Sequence, residues 1–469
     1  MVEEIQELTW MAGWRMRDLM VKKEISPVEV TRHFLDRITQ LDSKLHTFIT
    51  VVPEQALEQS LGAEAAILRG ETLGPLHGVP LSIKDMFHVK GIRTTGGSLV
   101  FKDFVATEDS VYAERVRQAG AIILGKTNTP EFGLAGRTAT RLAPECLNPW
   151  DTKRTPAGSS GGATASVAAG MSPMAVGSDG GGSIRLPAAF CGVFGLLPSN
   201  GRVPRHGGLG GTLFLSGVGP VARDTRDAAL LLQVLAGRDL RDPTCMLDKP
   251  PDYLAHFEDG VEELVIAWTP DYGYLTGTDP AVADTARRAA QRLEDLGAHV
   301  EEPGLVLDDT REAMCVMTRA DNYALFGRTV YDDPATRALL TPYARERYAA
   351  GRLVTGAEYT LALRARFRLI AQLEQLFNRY ALIASPTVGF VAPRLENLPE
   401  MGMPPTLASF TEMVNFAGYT AVSVPCGFVQ GLPVGLQLIA PPNEEALVLR
   451  ASRALETVLP WTDKHPAVS

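Results

Sequence analysis

The sequence predicts an α/β protein: one large α/β/α domain built on a mostly parallel, mixed β-sheet and covered by helices. Three short apolar runs of the kind buried parallel strands show, at residues 78–84, 121–124 and 173–176, alternate with segments whose apolar residues recur near every 3.6 positions. Further apolar runs at 381–384, 420–424 and 431–440 return late in the chain, so its two ends are expected to meet in one sheet.

At 469 residues, 45% apolar and 21% charged, the composition excludes disorder and supplies an ample core. No run of about 18 apolar residues could span a bilayer, so no membrane partner is expected. The opening MVEEIQELTWMAGW is acidic where a secretory signal is basic and lacks a continuous apolar stretch, which predicts a cytoplasmic protein.

Taken in order, residues 8–22 and 27–41 read as amphipathic helices, with Ser26 as N-cap and Pro27 at the first helical position. An apolar run at 46–52 precedes a helix at 53–68. The strand at 78–84 ends in Lys84, and lysine is unusual in an apolar strand. A helix at 110–118, the strand at 121–124, a small-residue helix at 163–169, the apolar 173–176 and the segment 188–196 follow, then an amphipathic helix at 224–236 ended by Gly237. From 238 to 380 the composition shifts: VEELVIAW suggests a strand, while 279–296 and 309–375 read as helical and rich in Arg and Glu. This stretch is expected to be a variable layer, or small subdomain, within a domain spanning 1–469. A helix at 444–459 closes the chain, and the residues after Trp461 are expected to be loose.

The formal charge of −9 and the absence of a basic run disfavour a nucleic-acid partner. Five cysteines, Cys146, Cys191, Cys245, Cys315 and Cys426, show no CxxC spacing. They argue against a disulfide framework or structural zinc and read as reduced and buried.

Two motifs fail on context. GAIILGKT (120–127) fits the phosphate-loop pattern, but its inner residues are strand-like and Asn128-Thr129-Pro130 breaks the helix that should follow. GSSGG (158–162) would make Ser160 an elbow nucleophile, yet the lead-in DTKRTPA is polar and His206, His256, His299 and His465 sit in no recognisable context. Better chemistry lies in Asp179-Gly180-Gly181-Gly182-Ser183, a serine behind three residues without side chains whose amides can converge on one oxygen. Lys84 complements it, since burial would lower its pKa and leave it neutral enough to accept a proton.

VPLSIKD (79–85), GKTNTPEFG (125–133), NPWD (148–151), PAGSSGG and GSDGGGSIRLPAAFCGVFGL together resemble the amidase-signature family of serine hydrolases. GPVARDTRDAALLL (219–232) and VPCGFVQGLPVGLQLIA (424–440) extend the resemblance across nearly the whole chain. It implies Ser183 as acylated nucleophile, Ser159 as bridging serine behind a cis Gly158–Ser159 peptide, and Lys84 as base. It further implies Gly180, Gly181, Gly182 and Gly133 as oxyanion-hole or substrate-binding positions, with Ser160, Asp179 and Arg185 holding the loop. No metal or cofactor is implied. The expected partner is a small-molecule amide or carbamate (urethane), esters being possible in the family, and the expected state is a monomer or homodimer. A glutamine-hydrolysing subunit of a transamidation complex is the alternative of another class. The chain departs from family habit at Leu197 and Ser199, where Lys and Thr are common, and near Tyr419-Thr420, where a proline is usual. TATRLAPECLNPWD also differs from the version in the glutaminyl-tRNA amidotransferase subunit. The glycine-rich 206–211 segment is expected to border the active-site mouth.

Overall fold

The computed structural model of the chain describes residues 8–399, 401, 403 and 406–468; the reading of the acidic opening falls largely on residues 1–7, outside these. Eleven strands make one sheet in the order β1-β3-β2-β4-β6-β5-β10-β11-β9-β7-β8. In chain order they are β1 (Phe48–Val51), β2 (Pro80–Lys84), β3 (Ile122–Thr127), β4 (Met174–Asp179), β5 (Phe194–Leu197) and β6 (Gly217–Ala222). β7 (Val265–Trp268), β8 (His299–Glu301), β9 (Leu382–Pro386), β10 (Thr420–Val429) and β11 (Leu432–Ala440) complete the sheet.

The sheet is mixed and helix-covered, as expected, but its balance of directions differs from the mostly parallel expectation. Only β2–β3, β2–β4, β7–β8 and β7–β9 run parallel; the other six neighbour pairs are antiparallel. Two local causes account for this. β10 and β11 are joined by a two-residue hairpin, Gln430-Gly431, both at positive φ as a type I′ turn requires. β6, hidden in the sequence by Pro220 and its glycines, enters reversed between β4 and β5.

The helices that bear on the site follow from local signals. α1 (Gly13–Val21) and α2 (Pro27–Leu45) open the described chain. Ser26 Oγ accepts from Val28 N and Glu29 N, and the Glu29 carboxylate accepts from Ser26 N, a capping box that starts α2 at Pro27. α3 (Pro53–Arg69), α4 (Val111–Gln118, capped by Ser110) and the wholly buried small-residue α5 (Gly161–Ala168) alternate with the first strands. α6 (Arg185–Cys191) precedes β5, and α7 (Thr225–Leu235) starts at Asp224, whose carboxylate accepts from Asp227 N. α8 (Pro280–Gln291), α9 (Arg311–Asn322), α10 (Pro342–Arg352) and α11 (Gly356–Phe377) fill the stretch between β7 and β9; α12 (Glu412–Ala417) and α13 (Glu445–Val458) flank the last hairpin.

Two further expectations are corrected. The residues after Trp461 are docked: Trp461 Nε1 donates to Arg223 O at 2.8 Å and the His465 ring stacks on Trp10 at 4.0 Å. Cys146, Cys191, Cys245 and Cys426 are buried and free, but Cys315 is only partly buried because it faces a cavity. No helix among the described residues is long and apolar enough to cross a membrane.

Candidate active site

β2 is buried at every position, so Lys84 at its end has no route for its ammonium to water. Its Nζ donates instead to three hydroxyls: Ser159 Oγ at 2.6 Å, Ser178 Oγ at 2.9 Å and Ser160 Oγ at 3.0 Å. Ser178 comes from β4, the parallel neighbour of β2, and the two other serines lead into α5 behind a cis Gly158–Ser159 peptide. Burial pulls the Lys84 pKa down to about 7, against the opposing pull of the Asp179 charge. The hydroxyls are not equivalent. Ser160 donates its own proton to Ser178 O at 2.9 Å, so toward Lys84 it acts only as acceptor. Ser159, the nearest, keeps its proton free to pass to a neutral amine.

Asp179, at the end of β4, shapes the glycine loop. Its carboxylate accepts from Gly182 N at 2.6 Å, Ile184 N at 3.2 Å, Arg185 N at 3.3 Å and the Asn415 amide at 3.0 Å. The Arg185 guanidinium adds two more bonds, at 3.0 and 3.1 Å. Burial works to raise the Asp179 pKa, but Arg185, Asn415 and Gly182 together outweigh it and hold the group at about 2. Arg185 is fully buried, and its remaining donors reach Gln437 Oε1, Thr411 O and Asn415 Oδ1. Arg185→Met is therefore expected to destabilise the fold by about 3–5 kcal/mol, the range for stranding one partner of a buried pair. Denaturant unfolding checks this, and a loss below about 1 kcal/mol would refute the role.

Gly182, read as an oxyanion-hole donor, and Gly133, read as an oxyanion-hole or substrate-binding position, both have their N–H groups engaged within the protein. The Gly182 N–H is engaged by Asp179, and the Gly133 N–H donates to Pro130 O at 2.9 Å in a tight turn. Gly182 is needed for space: at φ +119° its added Cβ would stand 2.2 Å from Thr411 Oγ1. The amides of Gly180, Gly181 and Ser183 have no protein acceptor among the described residues.

Ser159, Ser183, Gly133, Gly180 and Gly181 all line one cavity of about 500 Å³. Apolar side chains such as Met86, Phe132 and Leu407 make much of its wall, and Met314, Cys315 and Arg347 are contributed by α9 and α10. Gly210 and Gly211 of the glycine-rich segment border it. That segment is tied down by Leu209 N to Met86 O (2.7 Å) and Val111 N to His206 O (3.1 Å).

The rejected motifs find other uses. Residues 122–127 are strand, and Lys126 Nζ is occupied by Asp85 Oδ1 (3.0 Å), Phe87 O (2.6 Å) and Thr94 Oγ1 (2.9 Å), leaving no phosphate loop. Among the described residues no histidine lines the cavity, so Ser160 has no imidazole partner there. Sequence reasoning missed Ser178, although it abuts Asp179 in the quoted motif. It also missed Thr411, Asn415 and Gln437, which no local signal ties to a loop more than 220 residues earlier.

The amidase family profile matches residues 29–449. The chain is 39% identical to a glutamyl-tRNA(Gln) amidotransferase subunit of Moorella thermoacetica, over 98% of this chain and 99% of that one. Among solved structures, a bacterial aryl acylamidase of the amidase-signature enzymes superposes with TM-score 0.89 at 30% identity, covering 97% of each chain. The corresponding glutamyl-tRNA(Gln) amidotransferase subunit of Thermotoga maritima superposes with TM-score 0.80 at 29% identity, covering 97% of this chain and 96% of that one.

Proposed function

This chain belongs to the amidase-signature family of enzymes that hydrolyse amide C–N bonds, and on that premise we propose that it is a stand-alone hydrolase of small linear amides working through an acyl-enzyme on Ser183. The observation that carries the reading is the fully buried Lys84, 2.6 Å from Ser159 Oγ and with its pKa drawn down to about 7, beside a cavity that Ser159 and Ser183 share.

Neutral Lys84 takes the Ser159 proton while Ser159 takes that of Ser183, whose Oγ forms a bond to the substrate carbonyl carbon. The electron pair of the C=O bond moves to oxygen, and the free amides of Gly180, Gly181 and Ser183 are the donors for the resulting oxyanion. The same relay returns the proton to the leaving nitrogen as the C–N bond breaks. Water then repeats the sequence in reverse and releases the acid. Aryl or alkyl carbamates present the same carbonyl, so a urethane-cleaving variant shares this chemistry. The 238–380 layer, which brings Met314, Cys315 and Arg347 to the wall, is the part we assign to substrate choice. Five free cysteines accord with a cytoplasmic setting, and a monomer or homodimer is the form we expect.

A second reading, the glutamine-hydrolysing subunit of a transamidation complex, is favoured by the 39% identity to the Moorella protein. The stand-alone reading draws support from the higher TM-score to the aryl acylamidase and from TATRLAPECLNPWD (138–151), which differs from the version in the amidotransferase subunit.

An equimolar panel of primary amides, anilides, alkyl amides and aryl carbamates, given to the enzyme and to its Ser183→Ala variant with products read by mass spectrometry, separates them. Ser183-dependent release from at least one class without a partner is the expected result. Silence on the panel, together with glutamine hydrolysis that appears only with a co-purifying partner, would move the assignment to the second reading.

A further inference from the structure

The turn Glu131–Gly133 sits against the proton relay: a Cβ added at Gly133 would stand 3.3 Å from Ser159 Oγ. Its middle residue, Phe132, is buried and lines the cavity, and its φ of +52° lies in the left-handed region that residues with side chains avoid. Such a backbone persists only where its surroundings over-determine it. The Glu131 carboxylate accepts from Ser98 Oγ (2.6 Å), Thr341 N (2.7 Å) and Thr341 Oγ1 (2.6 Å). Glu131 N donates to Tyr343 OH (2.6 Å) and Phe132 N to Gly96 O (2.7 Å). These bonds fix the main chain of the turn, and packing must fix the ring.

Of the rings around Phe132, Phe101 and Tyr348 meet it at 82° and 53°, whereas Phe326 lies flat against it, 5.6 Å away with the planes 8° apart. Phe326 is not itself a wall residue of the cavity, and it reaches this place through an irregularity. Met314, Cys315, Thr318 and Asn322 form the face that α9 turns to the cavity. Regular α-helical spacing would carry that face on to a point between Leu325 and Phe326. Instead the helix widens into a π-turn, Tyr323–Gly327, whose longer spacing brings Phe326 into line and leaves Leu325 50% exposed. Room for it depends on glycine at 327, where a Cβ would stand 2.4 Å from Tyr323 Cδ2. The Tyr323 hydroxyl donates to Asp332 Oδ2 at 2.8 Å and pins that ring.

We infer that Phe326 is a positioning residue for substrate specificity: acting through Phe132, it sets by size which groups the cavity admits beside the relay. The inference rests on the hydrolase reading above and deepens it, naming compact over branched substituents as the substrate class. The physical reason is the space behind the wall. With Phe326 in place, the Phe132 ring is held between the cavity and a second ring, so a bulky group enters only by overpacking. Without it, the ring has the cavity on one face and a hole on the other. Phe326 is half-buried, so that hole opens toward solvent and Phe132 can retreat into it.

Binding without turnover tests this. In a Ser183→Ala background, calorimetry compares benzamide with 4-tert-butylbenzamide, and acetanilide with 4-tert-butylacetanilide. In at least one pair the branched member is expected to bind at least about tenfold more weakly, the scale on which a fitted apolar pocket discriminates by size. The pair that responds tells whether the acyl or the amine side of the scissile bond meets Phe132. Adding Phe326→Ala is expected to bring the ratio near one, while Phe326→Tyr, which keeps the stacked ring, retains the preference. Gly327→Ala, which crowds Tyr323 out of the π-turn, is expected to act as Phe326→Ala does and serves if that variant folds poorly. A ratio taken within one preparation does not depend on the fraction folded. Equal binding within both pairs, binding of none of the four, a preference that survives Phe326→Ala, or its loss in Phe326→Tyr overturns the inference. A protein that discriminates in this way yet cleaves no amide overturns the hydrolase reading and leaves the role of Phe326 standing.

Discussion

Replacing Ser183 by alanine is expected to lower kcat/KM by about 10⁴-fold or more, the scale on which removing a nucleophile from an acyl-transfer relay acts. The substitution is a clean one. Ser183 is only partly buried, and its Oγ makes no hydrogen bond to another described residue, so nothing structural depends on it. Its carbonyl, which survives in alanine, accepts from Ser160 N at 3.0 Å and keeps the loop attached to α5. Unfolding stability should stay within about 0.5 kcal/mol of the parent, as for substitutions away from packed features. More than about 1% residual activity on the best substrate of the panel would mean that another group attacks the carbonyl, a far smaller loss than removing a nucleophile brings.

Lys84 carries the second large effect, and it has two readouts of opposite sign. A base with a pKa of about 7 is mostly protonated in mild acid, so activity should climb from about pH 6 toward pH 8 and level above it. Lys84→Met should abolish that limb and lower kcat by about 10³-fold or more. Stability should move the other way. The folded-state pKa lies below the ordinary lysine value of 10.5, so between pH 7 and 10.5 the unfolded chain binds the proton more tightly. Parent stability therefore rises with pH through that window and carries its full deficit below it. Lys84→Met removes the deficit and should melt higher than the parent at pH 6 to 7. An acid optimum, or a methionine variant that is both active and less stable, would overturn the role given to this residue.

How far the sequence was legible depended on how local the cause was. The Ser26 cap, the apolar runs of β2 to β4 and the small-residue α5 announce themselves within a few residues, and their boundaries fall within a few residues of those read. Strand direction was less legible because neighbouring strands arrive from distant parts of the chain. Nothing in GVGPVA states that it lies reversed against β4, and the half-exposed β8 leaves almost no apolar signature. At the site, residue types pointed to Lys84 and the two serines, but which amides remain free depends on where Asp179 directs its carboxylate. That geometry turned Gly182 from a donor to the substrate into a donor to Asp179.

The pairing of β10 with β5 joins residues more than 220 positions apart, and the partners of Arg185 at Thr411, Asn415 and Gln437 are equally late. On the ribosome the first six strands emerge with the edge of β5 open and Arg185 missing those three partners. Neither the edge nor the loop that carries Ser183 can be completed until the last hairpin has left the exit tunnel. The cavity is late as well, because Leu407 and Ala408 belong to its wall, so it is completed together with closure of the sheet.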